Sequence, residues 1–85
     1  MTKVALVTGG SRGIGEAIAL ALAGGGIAVA VAARTAADVQ RVAASIRERG
    51  GIALPVVCDV TQPESVNAAV AQVRQALGPI TILVN

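Results

Sequence analysis

Residues 8–15 read Thr-Gly-Gly-Ser-Arg-Gly-Ile-Gly, which places four glycines and one arginine in eight positions. A turn uses one or two glycines, whereas four without a Cβ let another molecule touch the main chain itself. Exposed N–H groups, backed by the positive end of a helix dipole, suit an anion such as a phosphate. Gly9, Gly10, Ser11, Arg12, Gly13, Ile14 and Gly15 are therefore the candidate anion-binding residues. Two better-known loops are excluded. A P-loop needs a lysine followed by Ser or Thr, and here Glu16 follows Gly15. The spacing Gly9, three residues, Gly13, one residue, Gly15 also departs from G-x-G-x-x-G.

The elements that must hold this loop follow from apolar periodicity. Lys3–Val7 is a valine-rich run that ends at the glycines and reads as a buried strand. After Gly13 the chain is alanine-rich and helix-prone, with Ile14, Ile18 and Leu22 recurring every four residues along one face. Gly24–Gly26 end that helix, and Ile27–Ala33 is a second strand. Thr35 is an N-cap for a second helix, whose Val39, Val42, Ala43 and Ile46 lie at i, i+3, i+4, i+7 and which Gly50-Gly51 close. Ile52–Cys58 is a third strand, and Pro55 assigns it to an edge because proline donates no ladder hydrogen bond.

Thr61-Gln62-Pro63-Glu64 has capping-box spacing and starts a third helix with core residues Val66, Val70, Val73 and Leu77. Gly78-Pro79 stop it, and Ile80–Val84 is a fourth strand. The order β-α-β-α-β-α-β, with near-continuous apolar strands, predicts an α/β fold: a Rossmann-like parallel sheet. Right-handed crossovers favour strand order 3-2-1-4, with the first two helices on one face and the third on the other. Turns from strand to helix then lie at the carboxyl ends of the strands, where ligands of such sheets bind.

Placed in that turn, Thr-Gly-x-x-x-Gly-x-Gly resembles the cofactor motif of the short-chain dehydrogenase/reductase family. The resemblance extends along the whole chain. Asp59-Val60, after the third strand, resembles the family's acidic pair that meets the adenine ring. Ile82-Leu83-Val84-Asn85 resembles the lead into its Asn-Asn-Ala-Gly motif. The opening Met1–Gly15 is most similar to the 3-oxoacyl-carrier-protein reductase branch. The family reading implies a nicotinamide cofactor and gives Ser11 a bond to phosphate or ribose. Read structurally instead, Asp59 caps the third helix or its approach.

Residue chemistry bears on which nicotinamide cofactor is expected. NAD sites place an Asp or Glu about 20 residues beyond the glycines, at the end of the second strand, for the ribose 2′-hydroxyl. Here that position reads Ala32-Ala33-Arg34-Thr35, with no acid before Asp38. A guanidinium pairs with a 2′-phosphate bidentately, and a carboxylate repels it. Arg34 and Arg12, the latter as in family members that use NADP, thus predict NADP(H) in preference to NAD(H). Without a ligand, Arg34 reads as a solvated strand end. Arg41, Arg47, Arg49 and Arg74 are assigned to the surface.

Composition excludes several classes. With 54% hydrophobic and 14% charged residues, the chain is neither disordered nor a charge-driven nucleic-acid binder. A net charge of +2 is spread over scattered residues, and without Phe, Tyr or Trp there is no stacking platform for single strands. Ala17–Ala33 is uncharged, but Gly24–Gly26 interrupt it and it falls short of the roughly 20 residues that span a bilayer. The single Cys58 ends an apolar run and reads as a buried thiol, and with no signal-peptide pattern the expected compartment is the cytoplasm.

Hydride transfer to a carbonyl needs a proton donor. The family resemblance implies a Tyr-x-x-x-Lys motif with an upstream Ser, yet the sequence has no tyrosine or histidine, and its one lysine is Lys3. No catalytic residue is assigned, and no metal site. Residues 1–85 are expected to be a partial dinucleotide-binding domain, an incomplete doubly wound fold cut at the fourth strand. Its thinly covered face predicts weak stability or self-association. Two functions stay open: the NADP(H)-binding part of a carbonyl reductase or alcohol dehydrogenase, with the 85 residues alone expected to be inactive, or else a non-catalytic NADP-binding module or inactive truncated product. For a full-length form, the expected partners are a small-molecule substrate and further copies of itself.

Overall fold

The computed structural model describes residues 2–9 and 12–85. Seven elements alternate: β1 (Val4–Thr8), α1 (Gly13–Gly24), β2 (Ala28–Ala33), α2 (Ala36–Glu48), β3 (Ala53–Val57), α3 (Pro63–Leu77) and β4 (Ile82–Val84). The strands form one parallel sheet in the order β3-β2-β1-β4. Val7 pairs with Val31 and Val84, and Val31 with Pro55, so Pro55 does sit in an edge strand. The expected fold class and strand order are those observed.

Strand alternation divides the core in two. Ala5, Val7, Val29, Val31 and Ala53 face α1 and α2, where Val39, Val42, Ala43 and Ile46 complete the cluster. Val4, Leu6, Ala28, Ala30, Ala32 and Val56 face the other way, toward Ala69 and Val73 of α3. One helix covers this second face. Val66, Val70 and Leu77 are accordingly only partly buried, and Leu83 is 61% exposed.

The Ile14–Ile18–Leu22 face of α1 is not packed along its whole length: Leu22 lies against the core, but Ile14 is 81% exposed, and the fully packed positions are Ala19 and Ala23. The seam is turned by about 100°, one residue of helix. Alanines at i and i+4 present the smooth side of the helix to the sheet, while the isoleucine of the first turn projects outward.

Nor does Thr61 cap α3. The N-cap is Gln62, without a side-chain cap bond, and Pro63 occupies the first turn. Both Thr61 N–H and Thr61 Oγ1 instead donate to Asp59 Oδ1, at 3.0 and 2.7 Å. The carboxylate two residues upstream offers a stronger acceptor than the helix offers a donor, so the hydroxyl turns toward it. Asp59 therefore organises the approach to α3. Thr35 does hold the N-cap position of α2, although its side chain makes no cap bond.

Candidate functional site

The carboxyl ends of β1, β2 and β3 open into one cavity of about 560 Å³, lined by Gly9, Arg12, Ala33, Arg34, Thr35, Asp38, Cys58 and Val60. Main-chain bonds fix its floor. Gly9 N–H donates to Ala32 C=O at 2.8 Å, and Cys58 N–H donates to Ala33 C=O at 2.8 Å. Both turns leaving the sheet are thus fastened to the end of β2.

The start of α1 has the form the glycines implied. Gly9 has φ +67° and Gly13 φ +54°, left-handed conformations that favour glycine. A Cβ built on either would meet nothing within 4 Å, so the space beside the backbone is open. Arg12 stands at the N-cap in extended conformation without a side-chain cap bond, and the first helical bond runs from Glu16 N–H to Arg12 C=O. Amides ahead of Glu16 precede the ladder and suit an anion. Gly10 and Ser11 lie outside the described residues.

Of the sequence-derived candidates, Gly9, Arg12, Arg34 and Val60 share this cavity. Gly13, Ile14 and Gly15 form the first turn of the helix beside it. Asp59 flanks it between Cys58 and Val60. Hydrogen bonds from the side chain and then the backbone of Thr61 hold its carboxyl below the ordinary range, with a smaller contribution from the Arg34 charge. Asn85 stands apart: its Oδ1 accepts from Thr8 Oγ1 at 3.2 Å, and it lines an adjoining apolar hollow of about 250 Å³ with Leu6, Leu83 and Val70. Cys58 and Val60 border both spaces.

Asp38, to which the sequence assigns no site role, lines the cavity and accepts a hydrogen bond from Arg12 Nη2 at 3.3 Å. Its signal was an acid in the first turn of the helix that leaves the cavity end of β2. Cys58 is buried, as expected, and borders the site. Among the described residues no group of His, Cys, Asp or Glu is arranged to hold a metal ion. Among the described residues no helix is long and apolar enough to cross a membrane.

Against known proteins, the sequence matches the short chain dehydrogenase family over residues 3–85. It is 48% identical to the short-chain reductase protein NovJ of Streptomyces niveus, over 98% of this chain and 32% of that protein. It is 43% identical to the 3-oxoacyl-(acyl-carrier-protein) reductase FabG of Pseudomonas aeruginosa, over 98% of this chain and 34% of that one, so the branch to which the first fifteen residues point is among its relatives. A short-chain dehydrogenase/reductase from Mycobacterium marinum superposes with a TM-score of 0.91 at 51% identity, covering 95% of this chain and 33% of the other.

An alcohol dehydrogenase from Thermococcus sibiricus, solved with 5-hydroxy-NADP, superposes with a TM-score of 0.92 at 38% identity, covering 98% and 36%. The chain spans about a third of the length of these two curated relatives. A parallel sheet in the order β3-β2-β1-β4, a glycine-lined helix start at its carboxyl edge and a match along 3–85 lead to one assignment: the chain belongs to the short chain dehydrogenase family of oxidoreductases, whose members bind nicotinamide cofactors.

Proposed function

We propose that this chain is the NADP(H)-binding part of a short-chain oxidoreductase that interconverts a carbonyl and an alcohol by hydride transfer. The observation that carries the reading is the placement of Arg12 and Arg34 on one cavity, at the end of β2, where Ala33 and Thr35 flank Arg34 in place of an acid. A 2′-phosphate offers two or three acceptor oxygens to such a pair, and a 2′-hydroxyl offers one. The solved relative with an NADP derivative supports this choice.

In this reading Gly9, Gly10, Ser11, Gly13, Ile14 and Gly15 hold the pyrophosphate on the start of α1, and Arg12 and Arg34 hold the 2′-phosphate. Asp59 and Val60 border the adenine, and Asn85 follows β4 and lines the apolar hollow. Residues 1–85 are a partial dinucleotide-binding domain, and the proton donor for hydride transfer belongs to the part of the enzyme beyond them, since they contain neither Tyr nor His. The whole enzyme is read as a cytoplasmic homo-oligomer with a small-molecule substrate.

Affinity resins test the cofactor class. The chain should be retained on immobilised adenosine 2′,5′-bisphosphate and pass through immobilised 5′-AMP. Equal retention on both contradicts the proposal.

A further inference from the structure

Two ion pairs of opposite polarity bridge α1 and α2 beside the cavity. At its mouth Arg12 Nη2 donates to Asp38 Oδ2 at 3.3 Å, with Arg12 81% and Asp38 24% exposed. One turn deeper Arg41 donates to Glu16 through Nη2 to Oε1 at 3.3 Å and Nη1 to Oε2 at 3.4 Å. The α1 side therefore presents a cation and then an anion, and the α2 side an anion and then a cation. Arg41 also feels the Asp38 charge, which helps to raise its pKa after the larger effects of Glu16.

We propose that Asp38 is a specificity-determining positioning residue: an internal anion that holds Arg12 across the mouth of the cavity and yields it to the 2′-phosphate of the cofactor. This inference rests on the NADP(H) reading above. A phosphate carrying close to two charges outcompetes one carboxylate for an exposed guanidinium, whereas a neutral 2′-hydroxyl does not. Arg12 is thus transferred only to the phosphorylated cofactor. Once Arg12 leaves, Asp38 still has the Arg41 charge three residues along its own helix and the first-turn dipole of α2 to balance it. The exchange leaves no carboxylate stranded, and its cost is the weak exposed pair itself. Asp38 therefore lowers NADPH affinity and leaves NADH affinity untouched.

The test is a titration of the full chain and its variants with NADPH and with NADH. Asp38→Asn should bind NADPH about three- to fivefold more tightly, the range that an exposed pair of this kind is worth, with NADH unchanged. Asp38→Glu, which keeps the carboxylate, should restore the original ratio. In an Arg12→Ala background the gain from Asp38→Asn should vanish. If Asp38→Asn does not fold, Asp38→Ser, well suited to a helix start, serves in its place. The inference is overturned if the substitution leaves NADPH affinity unchanged or weaker, if it moves both cofactors alike, or if the full gain persists without Arg12. A parent chain with no preference for NADPH refutes the cofactor reading instead, which keeps the two failures distinct.

Discussion

Gly9 N–H donates to Ala32 C=O across 2.8 Å, which ties the glycine turn after β1 to the last residues of β2. The two arginines that flank the cavity depart from these two tethered segments. The β1–β2 pairing, extended by this bond, therefore brings Arg12 and Arg34 to one end of the sheet, although 22 positions separate them in the sequence.

Replacing Gly9 by alanine should cost about 1–2 kcal/mol of stability, the price of a left-handed backbone in a residue with a Cβ. Because that Cβ meets no neighbour within 4 Å, strain is the whole protein-side effect. Chemical denaturation measures it, and a loss well above this range would mean that packing contributes too.

Arg34→Asp should weaken NADPH binding at least tenfold while NADH affinity stays level or improves. Removing a charge-assisted hydrogen bond costs about 1.5–3 kcal/mol, and each 1.4 kcal/mol is a factor of ten. Competitive titration of the two cofactors reads the ratio. An unchanged ratio would show that Arg34 is only a solvated strand end.

The Asp59 carboxyl has its pKa depressed by the Thr61 bonds. A depressed folded-state pKa contributes stability that is present above the unfolded value and lost as pH falls through the folded one. The turn into α3 should therefore hold at neutral pH and loosen only below about pH 4. Amide exchange at Thr61 and Gln62 against pH follows this, and Asp59→Asn should abolish the acid transition.

Two isoleucine substitutions separate a core position on α2 from an open one on α1. Ile46→Val, at a residue 1% exposed, should cost about 0.5–1.5 kcal/mol. Ile14→Ala, on the open first turn of α1, should change stability by less than about 0.5 kcal/mol. Unfolding midpoints of the two variants compare them directly. A larger loss at Ile14 would return that residue to the core.

Architecture was legible because it depends on periodicity and punctuation. Valine-rich runs, glycine stops and Pro55 carry the strand order, and crossover handedness does the rest. The α1 seam was not legible, since Ile14, Ile18 and Leu22 form a stronger hydrophobic repeat than Ala19 and Ala23, which pack by smallness. Thr61 was misread because a capping-box spacing says nothing of a nearby competing carboxylate. In the site, Gly9, Arg12 and Arg34 could be named from motif and charge. Asp38 required the third dimension: its partner lies 26 residues away, and only the pairing of β1 with β2 brings the two helix starts together.

The central claim, that two arginines make this cavity a site for a 2′-phosphorylated dinucleotide, is tested most directly by calorimetric titration of the chain with NADPH and NADH. The sequence carries no aromatic residue whose fluorescence could report binding, so heat is the suitable signal. NADPH should bind at least tenfold more tightly than NADH. Equal affinities, or tighter binding of NADH, would contradict the account.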